Sequence, residues 1–135
     1  MKKQTGIWLD SSKAIVVTLS GTEENVKEIQ SDIENRIHHD SEGDQGTFMG
    51  QHHLSQERKF DERKRHQIEN YVKRIIESIR NDDELYVFGP SEIKLRLKSM
   101  IEEDKQISTR LKSVETSDKM TLNQVIAKVK DFYKN

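Results

Sequence analysis

The sequence contains no cysteine and only one proline in 135 residues. The absence of cysteine excludes disulfides, thiolate nucleophiles and cysteine-ligated metal sites. Long apolar runs are also missing, since the run at residues 7–9 is interrupted by Asp10 and no other run approaches 18 residues. We therefore expect neither a signal peptide nor a membrane span, and we expect a cytoplasmic location.

The chain has little apolar material and almost no net charge. Apolar residues make up 32% of the sequence, against about 45–50% in average domains on a count that includes glycine. We therefore expect one domain over residues 1–135, with a small core and extensive polar surfaces. Because 23 Lys and Arg nearly balance 24 Asp and Glu, a surface for nucleic acid would have to be a local basic patch.

The first third of the sequence is typical of β-strands. Residues 6–10 and 14–19 are short, rich in β-formers and separated by a polar turn, which predicts a hairpin. Residues 26–34 are ambiguous, because their apolar positions fit both a strand and a helix. The preceding hairpin favours a third strand.

The remainder alternates between helices and strands. We predict a helix that begins near Ser55, ends at the polar residues 81–83 and carries one apolar stripe, made of Ile68, Val72, Ile75, Ile76 and Ile79. A buried strand at residues 84–88, a helix from Ser91, a weaker strand at residues 107–115 and a final helix follow. The final helix is preceded by Thr121 and Gln124, which fit a capping box. The order βββαβαβα predicts an α/β fold with a mixed five-stranded sheet and helices on its faces. This order is ribonuclease H-like and similar to that of components of the translation machinery.

A ribonuclease H-like order raises the possibility of a two-metal carboxylate site. Asp10 stands on the first strand where such a site would need it. However, the strand that ends at residues 87–90 offers no carboxylate, and Glu57, Asp61 and Glu62 alternate with Arg and Lys as in solvated helical faces. The sequence therefore favours Asp10 as a hairpin-turn residue.

Residues 38–55 form a long stretch that contains three glycines, four histidines and almost no aliphatic residues. The lack of periodicity predicts a mobile loop of functional interest. Two histidine doublets with carboxylates between them are a candidate zinc or nickel site, although twelve intervening residues are not a diagnostic spacing. The alternative is a polar loop with exposed histidines. The residues concerned are His38, His39, Asp40, Asp44, His52 and His53.

The start of the first helix is strongly basic. Five cationic side chains there could contact nucleic-acid phosphates. The alternative is a solvent-exposed helix with intrahelical pairs such as Asp61 with Arg65. The candidate RNA-binding residues are Arg58, Lys59, Arg63, Lys64 and Arg65.

These features together resemble a known family. Residues 6–34 look like the opening strands of the central domain of the archaeal and eukaryotic peptide-chain release factors, in which a loop with Gly-Gly-Gln leads into a long basic helix. Here Met49-Gly50-Gln51 is followed by the basic segment, residues 85–90 and the helix after them resemble the family's next unit, and residues 115–124 resemble the closing segment of small bacterial relatives. The resemblance covers nearly the whole chain as a pattern, in a small stand-alone version.

The resemblance implies catalytic roles for Gly50 and Gln51. Gln51 would lie beside the ester that joins peptide to transfer RNA, where it could position a water or donate a backbone hydrogen bond to developing charge. Gly50 would give the backbone freedom and close approach. Met49 replaces the family's first glycine, and its bulk weakens the case for hydrolysis. Pelota-type relatives keep the fold without the motif.

The preferred hypothesis is a ribosome- or tRNA-associated accessory protein that acts in translation termination or ribosome rescue. Hydrolysis of the peptidyl-tRNA ester is the candidate activity. A non-catalytic protein-interaction module and a histidine-loop metal-binding protein are the alternatives. We expect no cofactor and no membrane partner. The sequence leaves the oligomeric state open.

Overall fold

The structure is a computed structural model that describes the backbone of residues 2–33 and 50–134, and the side chains of residues 2–33 and 58–134. A short 3-10 turn, Ser108–Arg110, precedes the last strand. The five strands are β1 (Lys3–Leu9), β2 (Lys13–Ser20), β3 (Glu23–Gln30), β4 (Glu84–Gly89) and β5 (Leu111–Thr116). The three helices are α1 (Gly50–Ile79), α2 (Ile93–Glu103) and α3 (Leu122–Tyr133).

The strands form one mixed sheet in the order β3-β2-β1-β4-β5. The first three strands make an antiparallel meander, and β4 and β5 extend the sheet in parallel with β1. The predicted α/β class, the five-stranded mixed sheet and the order βββαβαβα are confirmed. The ambiguous segment after the hairpin is a strand, as the preceding hairpin favoured.

One face of the sheet carries α1 and α2. Alternate side chains of a strand point to opposite faces, so Ile7 and Leu9 of β1 face the two helices while Trp8 faces away. The C-terminal half of α1 supplies most of the helical partners, as its predicted apolar stripe indicated. The buried members from that half are Tyr71, Val72, Ile75, Ile76 and Ile79.

The opposite face carries α3. Val125 and Val129 of this helix are fully buried against the sheet. At Gly6 a Cβ would overlap the side chain of Val129, so the missing side chain lets the helix approach the strand closely. The predicted capping box is confirmed, because Thr121 and Gln124 exchange side-chain-to-backbone hydrogen bonds of 3.2 and 2.9 Å.

Two predicted boundaries are wrong. Helix α1 begins at Gly50 and not at Ser55, because no proline interrupts residues 50–54 and a serine cap, worth about 1 kcal/mol, does not outweigh continued helical hydrogen bonding. Strand β5 begins at Leu111 and not at residue 107. Ile107 is instead buried in the core at the start of the 3-10 turn.

In the part of the chain that the structure describes, no helix combines the length and the apolar character that a membrane crossing requires.

Candidate nucleic-acid interface on the first helix

Helix α1 extends past the carboxyl ends of the parallel strands. Tyr71 is fully buried, and its hydroxyl donates a hydrogen bond of 3.1 Å to the backbone oxygen of Asp10, directly after β1 ends. The carboxyl ends of the parallel strands therefore lie beside residue 71. The helix continues from there for 21 residues toward Gly50, about 30 Å at 1.5 Å per residue.

The predicted basic segment lies on this projecting part. Arg58, Lys59, Arg63, Lys64 and Arg65 are all exposed, whereas the continuous buried stripe of the same helix begins at Tyr71 and, among its described side chains, only Phe60 is buried before it. At 100° per residue, positions 59 and 63 share one side of the helix and positions 58 and 65 share another. Positive charge is therefore presented around the helix and not along one narrow stripe.

One aromatic residue interrupts the exposed basic segment. Phe60 is 7% exposed, and the guanidinium carbon of Arg63 lies 5.8 Å from the centre of its ring. A guanidinium within about 6 Å of an aromatic centroid is attracted to the ring. Arg63 thus has a structural contact, and the side chains of Arg58, Lys59, Lys64 and Arg65 carry the clearest case for binding an anion.

The candidate catalytic dipeptide is the first turn of α1. Gly50 and Gln51 were expected in a loop before the helix, and the structure instead makes them its first two residues. The first four N–H groups of a helix have no partner within the helix, and the helix dipole makes this end positive. The first turn contains no acidic residue to offset that charge. The backbone N–H groups of Gly50 and Gln51 are thus suited to donate hydrogen bonds to an anion.

Several predicted features lie outside the described residues. These are residues 38–49 of the loop expected over residues 38–55, with Met49, and the histidine doublet His38-His39 with Asp40 and Asp44. Residues 50–55 of that predicted loop are helical instead. The second doublet, His52-His53, falls within the first turns of α1. In the remaining described ranges, residues 2–33 and 58–134, there is no cluster of three or more His, Asp or Glu side chains that could hold a metal ion.

A bidentate ion pair joins α1 to α2 next to the basic segment. The guanidinium of Arg96 on α2 donates hydrogen bonds of 2.6 and 3.0 Å to the carboxylate of Glu69. These hydrogen bonds lower the pKa of Glu69, so the carboxylate remains charged at neutral pH. Since Glu69 follows Arg65 by one turn, the pair holds the end of the basic segment next to α2.

Sequence reasoning missed both side chains that fix this helix. Tyr71 lies between the stripe positions Ile68 and Val72. Because a buried tyrosine hydroxyl usually finds a hydrogen-bond partner, a tyrosine on this apolar face could have indicated the anchoring role of Tyr71. Arg96 has no comparable signal, because an arginine among the lysines of an amphipathic helix is ordinary. Its role depends on α2 lying beside α1, which only the packing of both on one sheet face establishes.

Asp10 has a structural role in the hairpin, as the sequence favoured. One carboxylate oxygen accepts hydrogen bonds from the backbone N–H groups of Ser12 and Lys13 and from the Ser12 hydroxyl, at 2.8 to 2.9 Å. Partial burial opposes the charged form, but these hydrogen bonds and the positive charge of Lys119 prevail and lower the pKa of Asp10. Asp10 therefore closes the turn between β1 and β2 as a carboxylate.

Comparisons with known proteins support the fold. No model of a protein family matches this chain, and no curated protein matches its sequence. Among solved structures, the crystal structure of an archaeal translation termination factor, aRF1, is similar with a TM-score of 0.53 and 13% sequence identity. The alignment covers 93% of this chain and 34% of that one. The chain thus has a release-factor-like fold and spans about a third of the length of that relative.

Proposed function

We propose that this protein is a ribosome- or transfer-RNA-associated accessory protein that acts in translation termination or ribosome rescue. The observation that carries the proposal is the position of the basic segment on α1. Arg58, Lys59, Lys64 and Arg65 are exposed on a helix that extends past the sheet and begins at Gly50-Gln51. The release-factor-like fold of the neighbour adds support.

The geometry suits contact with a folded RNA. Phosphates attract lysine and arginine without regard to base sequence, and each neutralised phosphate releases counterions. The basic side chains begin eight residues after Gly50, about 12 Å along the helix axis. A helix held to RNA by its middle turns would therefore present its first turn a short distance further along the same RNA surface.

The proposal is tested by co-sedimentation with ribosomes. We expect the protein to pellet with ribosomes at about 50 mM salt and to be released progressively at about 200 mM, because phosphate contacts weaken steeply with ionic strength. Protein that stays in the supernatant at both concentrations would contradict the proposal. A nuclease-resistant complex with another protein would favour a protein-interaction module instead.

The chemical part of the proposal concerns Gly50 and Gln51. A glutamine side chain does not titrate near neutral pH, so it is suited to orienting a water and not to acting as a general base. The N–H groups of the first helical turn, which have no partner within the helix, can stabilise negative charge that develops on the ester during hydrolysis. The ribosome would supply most of the remaining catalytic environment.

Replacement of Gln51 by alanine tests whether its side chain takes part. If Gln51 orients the attacking water, Gln51→Ala should slow the release of labelled peptide from stalled ribosomes by about a hundredfold. The matched control is Gln56→Ala, which removes the same side chain five residues further along α1 and should release peptide at the wild-type rate. Equal release by wild type and Gln51→Ala would exclude the Gln51 side chain from the mechanism.

A further inference from the structure

A cavity of about 320 Å³ opens at the end of the sheet opposite the projecting part of α1. It lies between the starts of β1 and β3 and is closed by Ser78 near the end of α1 and by Asp82 in the turn that follows. The sequence indicated Asp82 only as part of a polar helix stop. The cavity is therefore separate from the surface described above, and its role does not depend on the proposed function.

Asp82 is the buried charge of this cavity. The residue is 6% exposed, and one carboxylate oxygen accepts a hydrogen bond of 2.7 Å from the hydroxyl of Thr5. That hydroxyl is 3.3 Å from the hydroxyl of Thr18, which also lines the cavity. Contacts among the described residues give the second carboxylate oxygen neither a hydrogen-bond donor nor an ion-pair partner. A buried carboxylate without a cationic partner is costly.

Burial disfavours the charged form of this carboxylate. Burial raises the pKa of Asp82, and the hydrogen bond from Thr5 and the charges of Lys3 and Lys27 oppose this rise only in part. The two lysines are close enough to act on the carboxylate through space, but neither forms an ion pair with it. A cationic group that reached the free oxygen from the cavity would relieve the desolvation cost.

The rim of the cavity carries the complementary charge. Lys3 and Lys27 both line it and are exposed to solvent, whereas Asp82 is buried. The lining also contains Glu23, so its charged side chains are two acids and two bases in total. A lining with no net charge but with separated charges of both signs fits a molecule that itself carries both signs.

We propose that this cavity binds a small zwitterion of amino-acid size. Its ammonium group contacts the free oxygen of Asp82, and its carboxylate lies at the rim near Lys3 and Lys27. The hydroxyl of Thr18 lines the same cavity, and the hydroxyl of Ser78, which donates to the backbone oxygen of Ile75, can accept a hydrogen bond from the ammonium group. A divalent cation fits less well because two lysines share the lining, and a simple anion fits less well because it would face a buried acid.

The test is a titration followed by the amide resonances of the ¹⁵N-labelled protein. L-Alanine and L-glutamine should each produce saturable shifts at the amides of Thr18, Lys27, Ser78 and Asp82, with dissociation constants of about 1 mM or below. Sodium acetate, methylammonium and sodium phosphate provide one charge only, and each should bind at least about tenfold more weakly.

Three variants make the result specific to the cavity. Asp82→Asn should weaken binding of L-alanine at least about tenfold, and Lys27→Gln, on an exposed edge strand, should weaken it severalfold. Asp118→Asn removes an exposed carboxylate outside the cavity and should bind as wild type. If the Asp82→Asn variant fails to fold, the binding of L-alanine by the Lys27→Gln variant decides the test.

Several results would overturn the proposal. These are the absence of saturable shifts with either amino acid, equal binding of acetate or phosphate, and undiminished binding in the folded variants of Asp82 or Lys27. None of these results would affect the ribosome experiment, because the basic segment of α1 is unchanged in all three variants.

Discussion

Replacing four exposed basic residues of α1 by glutamine is expected to abolish ribosome co-sedimentation at 100 mM salt while the protein stays folded. Arg63 is left in place because of its contact with Phe60. Each lost phosphate contact lowers the slope of log affinity against log salt by about 0.7 to 0.9, so four contacts lower it by about three. At moderate salt we expect affinity to fall at least about a hundredfold. The four positions are Arg58, Lys59, Lys64 and Arg65.

The control for net charge is a second fourfold variant that neutralises exposed lysines elsewhere. It should retain binding to within a few fold, because non-specific attraction to the whole protein surface is screened beyond about 10 Å. Thermal unfolding of both variants should stay close to that of wild type. If both variants lose binding equally, the interaction depends on total charge and not on α1. The control positions are Lys98, Lys105, Lys119 and Lys134.

Replacing Gly89 by alanine is expected to destabilise the protein by about 4 kcal/mol. Gly89 ends β4 with a φ of +144°, which side chains rarely adopt, and an added Cβ would overlap the backbone oxygen of Leu9. Leu9 is the last residue of β1 and pairs with Ala14, so its backbone has little freedom to withdraw. In thermal denaturation this loss corresponds to a decrease of about 15 °C in Tm.

A second glycine separates backbone strain from overlap. Gly21 also has a positive φ, of 62°, but it lies in an exposed turn between β2 and β3. Gly21→Ala should therefore lose only the free energy needed to hold alanine in the left-handed conformation, about 1 kcal/mol. This loss lowers Tm by about 4 °C. Similar losses in the two variants would mean that the backbone of Leu9 accommodates the extra carbon at Gly89.

Much of the fold could be predicted from local patterns. The hairpin, the capping box of α3 and the apolar stripe of α1 each depend on residues within a few positions of one another, so propensity and periodicity are sufficient to indicate them. The turn role of Asp10 belongs with these, since its hydrogen-bond partners are two and three residues away. The start of α1 at Gly50 was missed because helix ends depend on small differences in free energy.

The two candidate sites also differ in how much of each could be predicted from local sequence patterns. The basic segment from Arg58 to Arg65 could be identified in the sequence, because a run of charges is local. Its accessibility could not, because it follows from where Tyr71 meets the end of β1. The cavity around Asp82 had no local signal, since its lining joins β1, β2, β3 and the turn after α1.

The sequence by itself determined the element order, the apolar stripe of α1 and the concentration of positive charge at the start of α1. Only the tertiary structure decided that this charge extends past the sheet, that Arg96 braces it through Glu69, and that Asp82 is buried opposite Lys3 and Lys27. The physical reason is the range of the interactions. Periodicity, capping and turn chemistry act over a few residues, whereas burial, hydrogen bonding and charge pairing join segments up to 128 positions apart.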